Sequence, residues 1–180
     1  MTESTAAHHI ETIFAAEAIA ERLVSLAALI SAKNPKNLLV VPILKGSFVF
    51  AADLLRAMNR AGLEPEVDFL TLSSYKKSRT SSGQVTILRD LDLDVEGRHV
   101  ILVDDVLDSG RTLAYAKDLI SARGAKIIEI CVLLKKDVPR AVNIDADYHA
   151  FSCPNVFVVG YGMDVAHRYR ELPYVGRIVD

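Results

Sequence analysis

Continuous apolar runs constrain this chain more than any other feature. Leu38-Leu39-Val40-Val41-Pro42-Ile43-Leu44, His99-Val100-Ile101-Leu102-Val103 and Lys126 to Leu134 show little alternation of polar and apolar residues. Strands of that composition are buried on both faces, as in a parallel sheet covered by helices. Helical spacing separates them. Ile19, Leu23, Leu26, Ala27 and Ile30 follow a helical period within Phe14 to Ala32, which Asn34-Pro35 stops. Phe48, Ala51, Leu54, Leu55 and Met58 mark a second helix ending near Gly62, and a third runs from about Arg111 to Arg123 with Gly124 as its cap. Strand-helix-strand order implies right-handed crossovers and a mostly parallel, twisted sheet flanked by helices, so the fold class is α/β. Val67 to Leu72 alternates like one strand, with Gln84 to Leu88 as its continuation or partner. Shorter strands are expected at Tyr148 to Phe151 and Val156 to Val159.

A chain of 180 residues with 51% hydrophobic and 24% charged content has enough apolar surface for its own core and is not disordered. Lys and Arg number 21 against 23 Asp and Glu, a net charge of -2, so nothing global draws the chain to nucleic acid or an anionic membrane. Two cysteines, Cys131 and Cys153, supply neither a disulfide framework nor a zinc cluster and read as small core residues. Met1-Thr2-Glu3-Ser4-Thr5 lacks the pattern of a signal peptide, and no apolar run approaches the ~20 residues of a membrane span. The expected location is the cytoplasm. None of His8, His9, His99, His149 and His167 has metal-ligand spacing, and none is assigned a role.

Chemistry concentrates in Ile101-Leu102-Val103-Asp104-Asp105-Val106-Leu107-Asp108-Ser109-Gly110-Arg111-Thr112. A buried strand enters a short loop, placed here from Asp104 onward, and the loop opens a helix. Ligands of open parallel sheets sit at the carboxyl ends of strands. Ser109, Gly110, Arg111 and Thr112 offer amides and hydroxyls at a helix N-terminus, which suits one phosphate. Asp104 and Asp105 would repel that phosphate, and make sense against hydroxyls or a divalent cation such as Mg²⁺. Phosphoribosyl pyrophosphate has this combination of phosphate, diol and cation-bound pyrophosphate. Plainer readings explain less. Asp108 or Ser109 as a helix cap leaves the acidic pair unexplained. A Walker-B strand lacks its G-x-x-x-x-G-K-[ST] partner, and Gly160-Tyr161-Gly162 lacks the third glycine of a dinucleotide fingerprint.

Asp104 to Thr112 closely resembles the phosphoribosyl pyrophosphate signature of type I phosphoribosyltransferases. Over nearly the whole chain the resemblance extends to their 6-oxopurine branch, the hypoxanthine(-guanine) phosphoribosyltransferases. Leu44-Lys45-Gly46, Ser73-Ser74-Tyr75, Leu133-Leu134-Lys135-Lys136, Phe157 to Asp164 and Tyr169-Arg170-Glu171-Leu172-Pro173-Tyr174 carry it in order. The resemblance implies purine salvage: transfer of ribose 5-phosphate from phosphoribosyl pyrophosphate to hypoxanthine, and also guanine, giving IMP or GMP and pyrophosphate with Mg²⁺. It implies one domain, with a small hood built from the N-terminal segment and residues 137–180, and assembly as a homodimer or homotetramer.

By the same resemblance Asp108 is the general acid/base at purine nitrogen 7, a task a carboxylate performs when its surroundings tune its proton affinity. Lys136 donates to the 6-oxo group, Phe157 stacks on the base and the Val158 backbone meets its edge. Read without the family, Lys136 would be a solvated lysine, Phe157 and Val158 core residues of a strand, and Asp164 and Arg170 surface charges. Lys45-Gly46 matches a pyrophosphate loop whose peptide is often cis. Asp164 matches a metal-linked aspartate, joining Asp104 and Asp105 as candidate metal ligands, and Arg170 matches an arginine that holds pyrophosphate. Ser74 and Tyr75 begin a lid that runs to Gly83. Lys76-Lys77, Val165-Ala166 and Lys135 depart from residues common in relatives. An RNA-binding regulator on this fold would need a basic face and tends to carry Tyr where Asp108 stands. A xanthine-guanine or adenine transferase is the nearer alternative.

Overall fold

The structure is a computed structural model that describes residues 9–74 and 85–179. The chain runs β1 (His9–Phe14), α1 (Ala16–Ala32), β2 (Leu38–Leu44), α2 (Phe48–Arg60), β3 (Glu66–Val67), β4 (Leu70–Ser74), β5 (Val85–Arg89), β6 (His99–Leu107), α3 (Arg111–Ala122), β7 (Ile127–Lys136), β8 (Tyr148–Cys153), β9 (Val158–Val159) and β10 (Val175–Val179). The central sheet has the order β5-β4-β2-β6-β7-β8, with β3 also pairing β2. All its pairings are parallel except β4 with β5.

The apolar runs become the middle strands, and alternate residues face opposite cores. Val40, Ile101, Val103, Cys131 and Leu133 pack with Ile19, Leu23, Leu26, Ile30, Phe50, Leu54 and Met58 of α1 and α2. Their neighbours Leu39, Val41, Val100, Leu102, Ile130 and Val132 pack with Leu113, Ala116 and Ile120 of α3. Each fully buried side chain of this size contributes roughly 1.5–3 kcal/mol, so both layers hold the sheet in place. Among the described residues, no helix is long and apolar enough to cross a membrane.

Two expectations need correction. Val67 to Leu72 is not one strand: it breaks at Asp68 between β3 and β4. The buried Asp68 carboxylate accepts hydrogen bonds from the amides of Phe69, Asp92 and Leu93 at 2.8, 2.7 and 2.8 Å, and these contacts interrupt the ladder. The chain ends do meet in a separate antiparallel sheet, β1-β10-β9. The whole of residues 137–180 does not join it, however, because β8 hydrogen-bonds to β7 and extends the central sheet.

Glu129, the polar interruption in the third apolar run, is buried in β7. Its carboxylate meets His99 Nε2 at 2.7 Å, the Lys33 ammonium, and the Tyr148 hydroxyl at 3.2 Å. Burial alone would raise its pKa, but hydrogen bonds from Lys33 and His99 outweigh it and hold the carboxyl below its ordinary value. A carboxyl with a lowered folded pKa adds stability that is complete above its unfolded pKa and lost as pH falls through the folded one. Glu129→Gln should therefore destabilise the protein at neutral pH by about 1–3 kcal/mol, since it leaves buried donors poorly partnered. In thermal melts, the gap between wild type and variant should narrow as pH falls below about 4.5. A gap independent of pH would show that the charge is not what stabilises.

Candidate active site

β6 pairs with β7 well past Val103, where its continuous apolar run is interrupted: Asp104 faces Val132, Val106 faces Leu134 and Leu107 faces Lys135. Asp104 and Asp105 are therefore strand residues, correcting the expectation that the loop begins at Asp104. The loop proper is Asp108-Ser109-Gly110. Gly110, with φ +80°, precedes α3, and no side chain caps the helix, so neither Asp108 nor Ser109 is an N-cap. The first amides of α3 stay open toward the loop. Gly110 is required twice over: its φ is left-handed, and a Cβ there would lie 2.5 Å from Ile144 Cγ2. The segment 141–144 backs the loop, with the Ala141 amide donating to the Ser109 carbonyl at 3.1 Å. Nothing in the sequence marked that segment.

A cavity of about 240 Å³ opens here, lined among others by Lys45, Gly46, Asp104, Asp105, Asp108, Ser109, Gly110 and Thr112. Arg111 is not among its lining residues, and its side chain is exposed. The far wall is the turn after β2, where the Leu44–Lys45 peptide is cis. A Cβ on Gly46 would lie 1.8 Å from Asp105 Oδ2, so only glycine lets this turn meet the carboxylate. Asp104 Oδ1 accepts from the Asp105 amide at 3.0 Å, and Asp105 Oδ1 from the Val106 amide at 2.8 Å. Burial first, and then the adjacent charge of Asp105, push the Asp104 carboxyl well above the usual carboxylate range. Asp105 is raised by burial and pulled back by hydrogen bonds and by the charge of Arg170.

The last residue of β7, Lys136, is not a solvated lysine. Its side chain is 11% exposed, and Nζ lies 3.1 Å from Asp108 Oδ2. Phe157 is not a core strand residue either: it precedes β9 and is 58% exposed, whereas Val158 beside it is buried. Asp164 and Arg170 pair with each other at 2.8 Å instead of standing apart as surface charges. Arg170 Nη1 also donates to the Gly162 carbonyl at 2.6 Å, and the His167 amide donates to Asp164 Oδ2 at 2.8 Å.

Asp104, Asp105 and Asp164 do not converge. Among the described residues, no group of three His, Cys, Asp or Glu side chains could hold a metal ion. Asp164 is taken up by Arg170 and the His167 amide. Asp104 and Asp105, by contrast, line one cavity, and a hard cation such as Mg²⁺ needs only one or two carboxylates when substrate oxygens complete its shell. That pair fits a substrate-borne cation.

Ser74 ends β4. Tyr75, Lys76-Lys77 and the rest of the expected lid to Gly83 lie outside the described residues. Of the other departures, Lys135 pairs with Asp145 at 2.8 Å. Val165 and Ala166 belong to a tight turn in which Val165 bridges Arg168 and Ala166 has φ +49°.

A carboxyl with a raised folded pKa takes stability away from the folded state as pH climbs from its unfolded value through its folded one. Asp104→Asn keeps an acceptor oxygen and removes that loss. In thermal melts without substrate, the variant should exceed wild type by roughly 2–4 °C near neutral pH, about 1 kcal/mol for a chain of this size. The advantage should shrink as pH falls toward the unfolded carboxyl value of about 3.9 and vanish only well below it, where Asp104 is protonated in both states. A variant less stable than wild type at neutral pH would contradict the assignment of Asp104 as the strained acid.

Comparison with known proteins agrees with this geometry. The family model of the phosphoribosyl transferase domain matches residues 9–166. The chain is 45% identical over 148 residues to the hypoxanthine phosphoribosyltransferase of Buchnera aphidicola subsp. Schizaphis graminum, covering 82% of each chain. It is 39% identical over 175 residues to the hypoxanthine phosphoribosyltransferase of Escherichia coli strain K12, covering 96% of this chain and 97% of that one. The crystal structure of a hypoxanthine-guanine phosphoribosyltransferase from Bacillus anthracis superposes with a TM-score of 0.88 at 38% identity, covering 95% of this chain and all of that one. Given the loop at the carboxyl end of β6 and these likenesses along its length, the chain belongs to the phosphoribosyltransferase family, in the branch of the hypoxanthine(-guanine) phosphoribosyltransferases.

Proposed function

We propose that the chain is a purine-salvage enzyme that transfers ribose 5-phosphate from phosphoribosyl pyrophosphate to hypoxanthine or guanine, releasing pyrophosphate and forming IMP or GMP. The observation that carries this reading is the pair formed by Asp108 and Lys136, 3.1 Å apart at the carboxyl ends of adjacent strands beside the phosphate loop. Nitrogen 7 and the 6-oxo group lie on one edge of a 6-oxopurine. A lysine, which only donates, suits the carbonyl, and a carboxylate beside it can exchange the proton of nitrogen 7. Phe157, exposed just before β9, offers a ring for the base to stack on, and the Val158 backbone offers polar groups to its edge.

Ser109, Gly110, Arg111 and Thr112 hold the 5-phosphate through the open amides of α3 and through the two hydroxyls. Asp104 and Asp105 face the ribose hydroxyls. Lys45, Gly46 and Arg170 take the pyrophosphate, with Asp164 orienting Arg170. A magnesium ion carried by the substrate and held by Asp104 and Asp105 would neutralise charge on the sugar and the leaving group. As nitrogen 9 bonds to the anomeric carbon, the bond to pyrophosphate breaks and its electron pair leaves with the pyrophosphate. The proton of nitrogen 7 passes to Asp108. The setting is a single domain in the cytoplasm, as a homodimer or homotetramer, with neither nucleic acid nor membrane as partner.

Asp108→Asn keeps the size of the side chain and an oxygen for Lys136, but it cannot accept the proton. Steady-state assay with hypoxanthine should show kcat lowered by roughly 10²–10⁴-fold. A melting temperature close to that of wild type would confirm that folding is intact. A kcat within a few-fold of wild type would remove Asp108 from the proton transfer.

A further inference from the structure

Gly160, Tyr161 and Gly162 have φ values of +92°, +49° and +100° in succession. Glycine adopts such a backbone freely; tyrosine does not, and something must hold it there. Tyr161 is 6% exposed, and its hydroxyl donates to Asp53 Oδ2 at 2.7 Å. Its amide donates to the Leu172 carbonyl at 2.8 Å. Burial and the neighbouring carboxylate raise the phenol's pKa, so it remains a donor at neutral pH. The other oxygen of Asp53 accepts from Arg56 Nη1 at 2.7 Å, which fixes the carboxylate on α2.

The next residue ties this anchor to the reaction. A Cβ on Gly162 would lie 2.4 Å from the Gly46 carbonyl oxygen, so the loop rests directly on the turn after β2. The Gly162 amide donates to the Arg170 carbonyl at 3.0 Å, and the Gly162 carbonyl accepts from Arg170 Nη1 at 2.6 Å. Lys45-Gly46 leads into α2 through Ser47, and α2 carries Asp53. The two arms assigned to pyrophosphate, Lys45-Gly46 and Arg170, are thus referenced to one helix: the first through the chain, the second through Tyr161 and Asp53. We propose that the hydrogen bond from Tyr161 to Asp53 is a positioning contact that sets Arg170 against Lys45-Gly46 for pyrophosphate. This rests on the reading that Arg170 binds that group.

The test compares steady-state kinetics and IMP binding for wild type, Tyr161→Phe, Asp53→Ala, Asp53→Asn, the Tyr161→Phe/Asp53→Ala double variant and Arg170→Ala. Tyr161→Phe keeps the buried ring and removes only the hydroxyl. It should raise the KM for phosphoribosyl pyrophosphate, and for pyrophosphate in the reverse direction, by roughly tenfold. Affinity for IMP, which has no pyrophosphate, should stay unchanged. Asp53→Ala should match that effect, the double variant should be no worse than either single one, and Asp53→Asn, which keeps an acceptor, should stay close to wild type. An unchanged KM for both pyrophosphate substrates in Tyr161→Phe, or a parallel loss of IMP affinity, overturns the proposal. If Arg170→Ala raises these KM values while Tyr161→Phe does not, only the positioning role falls. If Arg170→Ala leaves them unchanged, the assignment of Arg170 falls and takes this inference with it.

Discussion

The parallel pairing of β6 with β2 on one side and β7 on the other organises the rest of the molecule. Hydrogen bonds to β7 continue to Leu107, so two carboxylates are carried to the mouth of the sheet on a rigid strand. The same register places Leu107 opposite Lys135, and the next residues along, Asp108 and Lys136, meet at 3.1 Å. Immediately afterward the chain turns through Gly110 into α3, whose open amides face the loop. The two carboxylates, the Asp108–Lys136 pair and the loop into α3 therefore all take their positions from one strand end. Sites on strands and helix termini hold geometry more tightly than sites on loops.

That arrangement costs stability where it is most useful. Asp104 is buried with the half-buried Asp105 beside it, and burial together with like charge resists the ionisation of Asp104. A hydrophobic pair would stabilise the strand end better, but it could not meet hydroxyls or a cation. Gly46 lets the opposite turn approach Asp105 closely, and Arg170 supplies a distant favourable charge. Strain concentrated at a site and offset by the surrounding sheet is a common mark of binding machinery. The buried polar cluster at the other end of the same strands behaves differently. Glu129 is fully engaged by His99, Lys33 and Tyr148, and its lowered pKa marks a group that supports the fold.

What could be read from the sequence follows from which signals are local. The three middle strands and three helices were legible because burial on both faces writes continuous apolar runs, and amphipathic helices write a 3.6-residue period. The stretch from Asp104 to Thr112 was legible as a candidate site because its glycine, hydroxyls and acids are contiguous. The end of β6 was misplaced because two aspartates look like a loop until β7 is known to pair with them. The break at Asp68 was hidden because its partners, the amides of Asp92 and Leu93, lie far along the chain. β1 and β10 did not stand out because HIETIF and VGRIV carry no clean alternation of apolar and polar residues. The pairs Asp108–Lys136 and Asp164–Arg170 depend on register and on a left-handed turn, neither of which a single sequence displays.

On the function proposed above, the Asp108–Lys136 pair reads a 6-oxopurine at this strand end and phosphoribosyl transfer follows. The most direct measurement incubates the protein with phosphoribosyl pyrophosphate, Mg²⁺ and either hypoxanthine or adenine, and follows nucleotide and pyrophosphate together. With hypoxanthine, IMP and pyrophosphate should appear in equal amounts. Adenine places an amino group where Lys136 can only donate, so its kcat/KM should be lower by more than about 100-fold. Adenine converted as well as hypoxanthine, or phosphoribosyl pyrophosphate consumed with no nucleotide formed, would contradict it.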